Sequence, residues 1–224
     1  FFNMGSHPWL KVNLNGERFA NEGSGVYDWM LHAGAGQPDG TYCTIFDADW
    51  AAQAEQMDMH GCARMYPYEN GAPANETVDT IGGQLASLIE AGYVQEAQTI
   101  EELAQKLELP VETFCATVER YNKLAEAGMD EDFGKEPFRL LPLATPPFYG
   151  VRNTGVLLCT LDGIRIDTEA HALRADGTPI EGLYVVGNDS GNYFDRSYPN
   201  TLTGGAAGRT ITFGRIAGKA AARG

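Results

Sequence analysis

Two linked stretches decide the fold of this chain: G-L-Y-V-V-G-N (Gly182–Asn188) and, after a loop of Gly, Asn and aromatic residues, T-G-G-A-A-G-R-T-I-T-F-G-R-I-A-G-K-A-A-A (Thr203–Ala222). The first is a short apolar run closed by glycine, the pattern of a buried strand, and the second predicts a long helix of small residues. Strand, glycine, loop and helix in that order make ligand sites in open α/β sheets, outside the carboxyl ends of the strands. A helix that starts T-G-G-A-A-G lets backbone N–H groups approach an electron-rich group closely. The same glycines and alanines also suit tight packing of a helix on a sheet, so this stretch taken alone leaves both readings open.

Working outward, the sequence back to Pro146-Pro147 is rich in glycine and β-formers. Val156–Cys159, Ile164–Asp167 and Ala172-Leu173 predict short strands, with Asp176-Gly177 as a hairpin turn. Further upstream the signals are helical. Thr99 and Glu102 form a capping box ahead of the stripe Ile100, Leu103, Ala104 and Leu107. A second helix starts near Pro110, carries Val111, Phe114, Cys115, Val118 and Tyr121 on one face, and ends before Gly128. Asp47–Met59 and Thr80–Ala91 predict two more helices, and a Gly-rich loop precedes them. Alternation in W-L-K-V-N-L-N-G-E-R-F-A-N (Trp9–Asn21) around Asn15-Gly16 predicts a β-hairpin. A domain boundary is expected near residue 148, between a helix-rich module (1–148) and a β-rich, Gly-rich one (149–224).

Composition narrows the function. The chain has 224 residues, 43% of them hydrophobic, and 16 Lys+Arg against 30 Asp+Glu give a net charge of −14. A chain of this length buries roughly 70% of its unfolded surface, so a sizeable core is expected. The acidic balance, without a Lys/Arg cluster, excludes nucleic acid as a partner, and the short apolar runs exclude a membrane span. Cys43, Cys62, Cys115 and Cys159, like His7, His32, His60 and His171, lack ligand spacing, so no metal site is expected. The start Phe1-Phe2-Asn3-Met4 shows no signal peptide and reads as the start of one piece of a longer protein.

N-G-E-R-F-A-N-E (Asn15–Glu22), G-L-Y-V-V-G-N (Gly182–Asn188) and I-T-F-G-R-I-A-G-K (Ile211–Lys219), in this order, resemble the flavoprotein family of fumarate reductase and succinate dehydrogenase. That family also includes urocanate reductase and 3-ketosteroid dehydrogenase. The helices between Thr99 and Lys123 are similar to those of its capping domain. The resemblance implies an α+β capping domain with a leading β-hairpin over 1–148. It is followed, over 149–224, by the C-terminal part of a Rossmann-like α/β FAD-binding domain. The G-x-G-x-x-G fingerprint for the FAD diphosphate does not occur, because Gly34-Ala35-Gly36 runs into Gln37-Pro38-Asp39, which is no helix start. The chain therefore looks like the C-terminal half of such an enzyme, and alone it is expected to bind FAD poorly.

The resemblance also implies site residues. Gly187, Asn188 and Asp189 match the strand end whose polar side chain lies along the ribityl-diphosphate portion of FAD. Gly204, Gly205, Ala206 and Ala207 match the helix start at the flavin pyrimidine edge, where a helix N-terminus favours negative charge on reduced flavin. Where fumarate-reducing relatives carry N-E-x-T-T-R-D, this chain reads Asn21-Glu22-Gly23-Ser24-Gly25-Val26-Tyr27-Asp28, without the arginine. Their histidine falls on Cys159 and their substrate-clamping arginine on Thr201, so a dicarboxylate would stay unpaired at a cost of several kcal/mol. Fumarate is thus not expected as the substrate. Arg196-Ser197-Tyr198-Pro199 is instead similar to the ketosteroid-dehydrogenase branch, where a tyrosine polarises a carbonyl. Tyr198 is assigned that role, Tyr27 the exchange of a proton on the neighbouring carbon, and Arg196 a place in the pocket beside Tyr193 and Phe194.

The expected activity is hydride transfer between FAD and a C=C bond conjugated to a carbonyl, in an unsaturated carbonyl or carboxylate substrate. An electron-donor protein or domain is a further expected partner, and self-association into a homodimer is another. A carboxylate-reducing variant of this reading places Arg152 or Arg196 on a single carboxylate. The alternative from another class is a non-catalytic cap or interaction module without flavin.

Overall fold

The computed structural model describes residues 7–23, 33–57, 64–67, 69–74, 76–154, 162–194 and 204–223. The chain divides into two compact units, Phe1–Gly155 and Val156–Gly224.

The first unit is built on a sheet of four antiparallel strands: β1 (Leu10–Asn13), β2 (Thr41–Asp47), β3 (Val94–Ala97) and β4 (Phe148–Thr154), in the order β1-β2-β4-β3. Its helices are α1 (Trp50–Gln56), α2 (Val78–Glu90), α3 (Ile100–Lys106) and α4 (Val111–Ala127). Side chains alternate through the pleat, so the sheet buries both faces. Leu10, Val12, Cys43 and Ile45 pack with Leu103, Leu107, Phe114, Val118 and Tyr121 of the α3–α4 layer. Trp9, Phe46 and Val151 pack with Ala54, Met57, Ile81 and Leu85 on the other side. Every residue of β2 is buried. A strand covered on both faces has no polar alternation, which is why T-Y-C-T-I-F-D passed for part of a loop and the start of a helix.

The helix expected over Asp47–Met59 shortens to Trp50–Gln56, because Asp47 is the last residue of β2. Asp47 is fully buried and accepts from the Ala144 and Thr145 amides (2.9 and 3.1 Å) and the Asp49 amide (3.0 Å). The expected boundary near residue 148 coincides with the start of β4, which pairs with β2 and β3 and so belongs to the first unit. The local reading of α3 holds. Thr99 Oγ1 accepts from the Glu102 amide (3.1 Å), and the Glu102 carboxylate accepts from Gln98 N (3.0 Å), one residue beyond the usual capping-box partner. Helix α4 ends on Gly128 at φ +67°, as its glycine predicted.

The Asn15-Gly16 turn forms, with Gly16 N donating to Asn13 O (3.0 Å), but only the bridge Val12↔Arg18 follows it. The true ladder partner of β1 is β2. What holds the returning segment is charge. Arg18 donates to Glu22 (Nε 2.9 Å, Nη2 2.8 Å) and to Asp130 beyond α4 (Nη1 2.9 Å, Nη2 2.7 Å), and its guanidinium lies 5.2 Å from the Tyr121 ring centroid. Lys135 donates to Tyr121 Oη (2.8 Å) and to Pro8 O, and sits 3.4 Å from Glu22. Against the burial that would raise them, Lys135 and Arg18 hold the Glu22 carboxyl below the usual carboxylate range, and Arg18 with the Lys135 amide holds Asp130 at about 2. Burial pushes the Lys11 amine down to about 7 even beside Glu22, and it donates to His7 O (2.7 Å). The G-E-R-F-A-N-E motif thus has a structural role in this unit.

The second unit contains the antiparallel hairpin of β5 (His171–Leu173) and β6 (Pro179–Tyr184), and helix α5 (Gly205–Ala221). Among the described residues all four pairings of regular strands are therefore antiparallel, within a mixed α and β architecture. The strand expected at Gly182–Asn188 lies earlier, and it is not buried: Leu183 is 44% exposed, while Val185 and Gly187 just after the strand are buried. A continuous apolar run is buried only where a second layer covers both its faces, and in the described residues β6 has a single strand neighbour. The strand expected at Val156–Cys159 lies outside the described residues. Among the described residues no helix is long and apolar enough to cross a membrane.

Candidate functional site

The site in the second unit starts from a close crossing of two backbone segments. Ile164 N donates to Asp189 O and Gly191 N to Ile164 O, both at 2.9 Å, forming a parallel bridge between Ile164 and Ser190. Glycine is required on both sides of it. A Cβ on Gly163 would lie 2.5 Å from the Asp189 carbonyl oxygen, and one on Gly191 would lie 2.6 Å from that of Gly163. Neither glycine stood out in the sequence, although the D-G and S-G-N turn signals marked both positions.

This crossing sets the floor of an open cleft of about 640 Å³, lined by Asp162, Gly163, Ile164, Tyr184, Val185, Val186, Asn188 and Asp189. Gly187 turns the chain at φ +69°, and the 3-10 turn Gly187–Asp189 follows. Asn188 and Asp189 are exposed on the cleft, whereas Gly187 and Ser190 point inward and are buried. Ser190 secures the turn by donating from N (3.2 Å) and Oγ (2.9 Å) to Gly187 O. Tyr184, on the cleft wall, packs against His171 at 4.6 Å between ring centroids, and His171 Nδ1 is 3.0 Å from Asp167 Oδ2. That satisfies the histidine structurally.

Helix α5 begins after Gly204, which has φ +82° and offers no capping side chain. Gly208 N makes the first intrahelical bond, to Gly204 O (2.8 Å), so the amides of Gly205, Ala206 and Ala207 precede the helical ladder. Such an uncapped start is suited to an electron-rich group. The helix is tied to the Gly187–Asp189 turn by Thr210, whose Cγ2 lies 3.3 Å from where a Gly187 Cβ would be, and by Arg209, which donates to Ser190 O and Oγ. Sequence reasoning missed Arg209, which sits inside a run otherwise read as small and apolar.

The structure thus ties Gly187 and Ser190 to Thr210 and Arg209 of α5, while Gly204–Ala207 do not line the cleft. Tyr27, Arg196 and Tyr198 lie outside the described residues, as does Cys159. Tyr193 and Phe194 form an edge-to-face pair with centroids 4.7 Å apart. Arg152 belongs to the first unit, where it donates to Leu107 O (Nε 3.1 Å) and pairs with Glu108 (3.3 Å). Those contacts already engage the side chain proposed as one carboxylate anchor. Burial pushes the Cys43 thiol up to about 11, which leaves it inert. Among the described residues no cluster of His, Cys, Asp or Glu is arranged to hold a metal ion.

A family model described as FAD binding domain matches residues 9–201. A vinyl phenol reductase of Lactiplantibacillus plantarum is 29% identical over 221 residues, 98% of this chain and 44% of that protein. A 4-oxocyclohexanecarboxylate 2-dehydrogenase of Sinomonas cyclohexanicum is 35% identical over 232 residues, 94% of this chain and 36% of that protein. Among solved structures, the 3-ketosteroid delta1-dehydrogenase of Sterolibacterium denitrificans, in complex with 1,4-androstadiene-3,17-dione, superposes with a TM-score of 0.70 at 27% identity. It covers 99% of this chain and 40% of that one. The chain thus spans less than half the length of these relatives.

Proposed function

Since this chain belongs to the FAD binding domain family, we propose that it is the substrate-capping domain and the C-terminal, Rossmann-like part of the FAD-binding domain of an oxidoreductase acting on C=C or CH–CH bonds next to a carbonyl. The first unit is the cap and the second the cofactor side. The observation that carries this reading is the Gly163/Gly191 crossing, which leaves Asn188 and Asp189 on an open cleft in the unit that also holds an uncapped helix start. A cleft floored by bare backbone, polar side chains after a strand end and a helix start without a capping side chain fit a flavin nucleotide. FAD supplies hydride transfer at flavin N5.

Around it the residues divide the work. Asn188 or Asp189 would hold the ribityl-diphosphate portion, Asn188 as donor or acceptor and Asp189 by accepting from ribityl hydroxyls, with Gly187 setting the turn. The start of α5, Gly204 to Ala207, offers the Ala206 and Ala207 amides to the pyrimidine edge and favours negative charge there. Tyr198 donates a hydrogen bond to the substrate carbonyl as charge builds on its oxygen, and Tyr27 takes or gives the proton on the adjacent carbon. Arg196 lines the pocket. The substrate is an enone, a cyclic ketone or an enoate rather than fumarate, because the cationic groups that would pair two carboxylates are missing from the matching positions. The relatives named for ring ketones support that class, and the one named for vinyl phenol, which has no carbonyl, supports only chemistry at a conjugated C=C bond. Reducing equivalents exchange with a separate donor protein or domain.

The test is an ultraviolet–visible titration of the full-length protein with FAD, followed by turnover of enones, cyclic ketones and enoates. Flavin bands and turnover of a carbonyl-conjugated substrate are expected. A protein that folds yet stays colourless in excess FAD would remove the oxidoreductase reading and leave a non-catalytic cap module.

A further inference from the structure

Helix α5 has a burial pattern that cofactor contact by its first turn does not explain. Its buried residues are Arg209 and Ala217, while Ile211 is 74% exposed. An arginine at 7% exposure is thus among the most protected side chains of a helix that leaves an isoleucine in solvent. Burying a guanidinium costs several kcal/mol unless its donors are met. Among the described residues the partners are neutral: Arg209 Nη2 donates to both the carbonyl and the hydroxyl of Ser190. Ser190, 1% exposed, passes the contact on to Gly187 O through its amide and its hydroxyl. The guanidinium plane also lies 4.9 Å from the Tyr193 centroid and 5.7 Å from that of Phe194. Among the described residues no carboxylate pairs with it.

We propose that Arg209 is a cofactor-positioning residue, a clamp that locks the Gly187–Gly191 turn to the first turns of α5, so that Asn188, Asp189 and the helix start meet FAD as one rigid surface. The inference rests on the reading that this unit holds FAD. Helical side chains lean toward the N-terminus of their helix, so the Arg209 side chain lies over the turn that begins at Gly205. Its hold on Ser190 keeps that residue facing inward and its neighbours Asn188 and Asp189 facing the cleft. One nitrogen, Nη2, holds both oxygens of Ser190 while the flat guanidinium faces the aromatic pair, a combination of hydrogen bonding and planar stacking that a lysine does not reproduce. Its charge, without a carboxylate partner among the described residues, adds to the positive end of the helix dipole and favours reduced, anionic flavin.

Full-length wild type, Arg209→Met, Arg209→Lys and Ser190→Ala are titrated with FAD, and the midpoint potential of the bound flavin is measured. Arg209→Met is expected to bind FAD about tenfold more weakly or worse, as loss of a charged hydrogen bond implies, and to hold it at a lower potential. Arg209→Lys keeps the potential near wild type without restoring the affinity, a split that a purely structural role would not give. Wild-type affinity and potential in Arg209→Met would overturn the clamp. If Arg209→Met fails to fold, weakened FAD binding in Arg209→Lys and Ser190→Ala supports the proposal, and wild-type affinity in both overturns it. Absence of flavin from the wild type overturns both the clamp and the reading beneath it.

Discussion

Replacing Arg18 by methionine tests the electrostatic core of the first unit. The guanidinium donates to both oxygens of Glu22 and both of Asp130 over 2.7 to 2.9 Å. Side-chain exposures are 6% for Arg18, 1% for Glu22 and 0% for Asp130. An exposed pair would contribute less than about 1 kcal/mol. Here the variant leaves two buried carboxylates with the Lys135 amine, 3.4 Å from Glu22, and the Lys11 amine, itself lowered to about 7, as the nearby cations among the described residues. Breaking a buried pair in this way costs about 3–5 kcal/mol. The sign with pH follows from the folded carboxyls lying below their ordinary values, Asp130 at about 2. Their stabilisation is present above the unfolded values of 3.8 and 4.5 and is lost as pH falls through the folded ones. In Arg18→Met those carboxyls titrate higher, so the deficit is full at neutral pH and shrinks toward about pH 4. Urea denaturation followed by the fluorescence of buried Trp9 reads it directly. A loss below about 1 kcal/mol at neutral pH, or one that does not change with pH, would refute the assignment of Arg18 as the central cation.

Lys11→Met should show a dependence of the same sign, moved to alkaline pH, with wild type gaining as pH rises. The folded amine at about 7 has shed a proton that the unfolded chain keeps up to 10.5, so wild type gains on the variant by about 1.4 kcal/mol per pH unit across that window in paired denaturation curves. Gly191→Ala pushes a methyl to 2.6 Å from a backbone oxygen that cannot yield, and calorimetry should register about 1–3 kcal/mol of destabilisation together with weaker FAD binding. Thr99→Ala removes the Oγ1 cap on the Glu102 amide and should lower stability by about 1 kcal/mol in the same denaturation assay. Tyr198→Phe should lower turnover about 10²–10⁴-fold while flavin content, read from absorbance, stays at the wild-type level.

What the sequence by itself determined is the local grammar. Helices α3 and α4, the Thr99 cap, the Gly128 stop, the Asn15-Gly16 turn and the long small-residue helix α5 all follow from signals held within a few consecutive residues. The motif order that marks the family was legible for the same reason. The tertiary structure alone decided the rest. It chose β2 as the partner of β1, placed β2 and β4 at the centre of a sheet covered on both faces, and joined Arg18 to Asp130 across 112 residues. It also set Gly163 against Gly191 and buried Arg209 under the Gly187–Gly191 turn. Periodicity and capping depend on neighbours along the chain. Strand pairing, close backbone crossings and the burial of a charge depend on groups that only the fold brings within a few ångströms of one another.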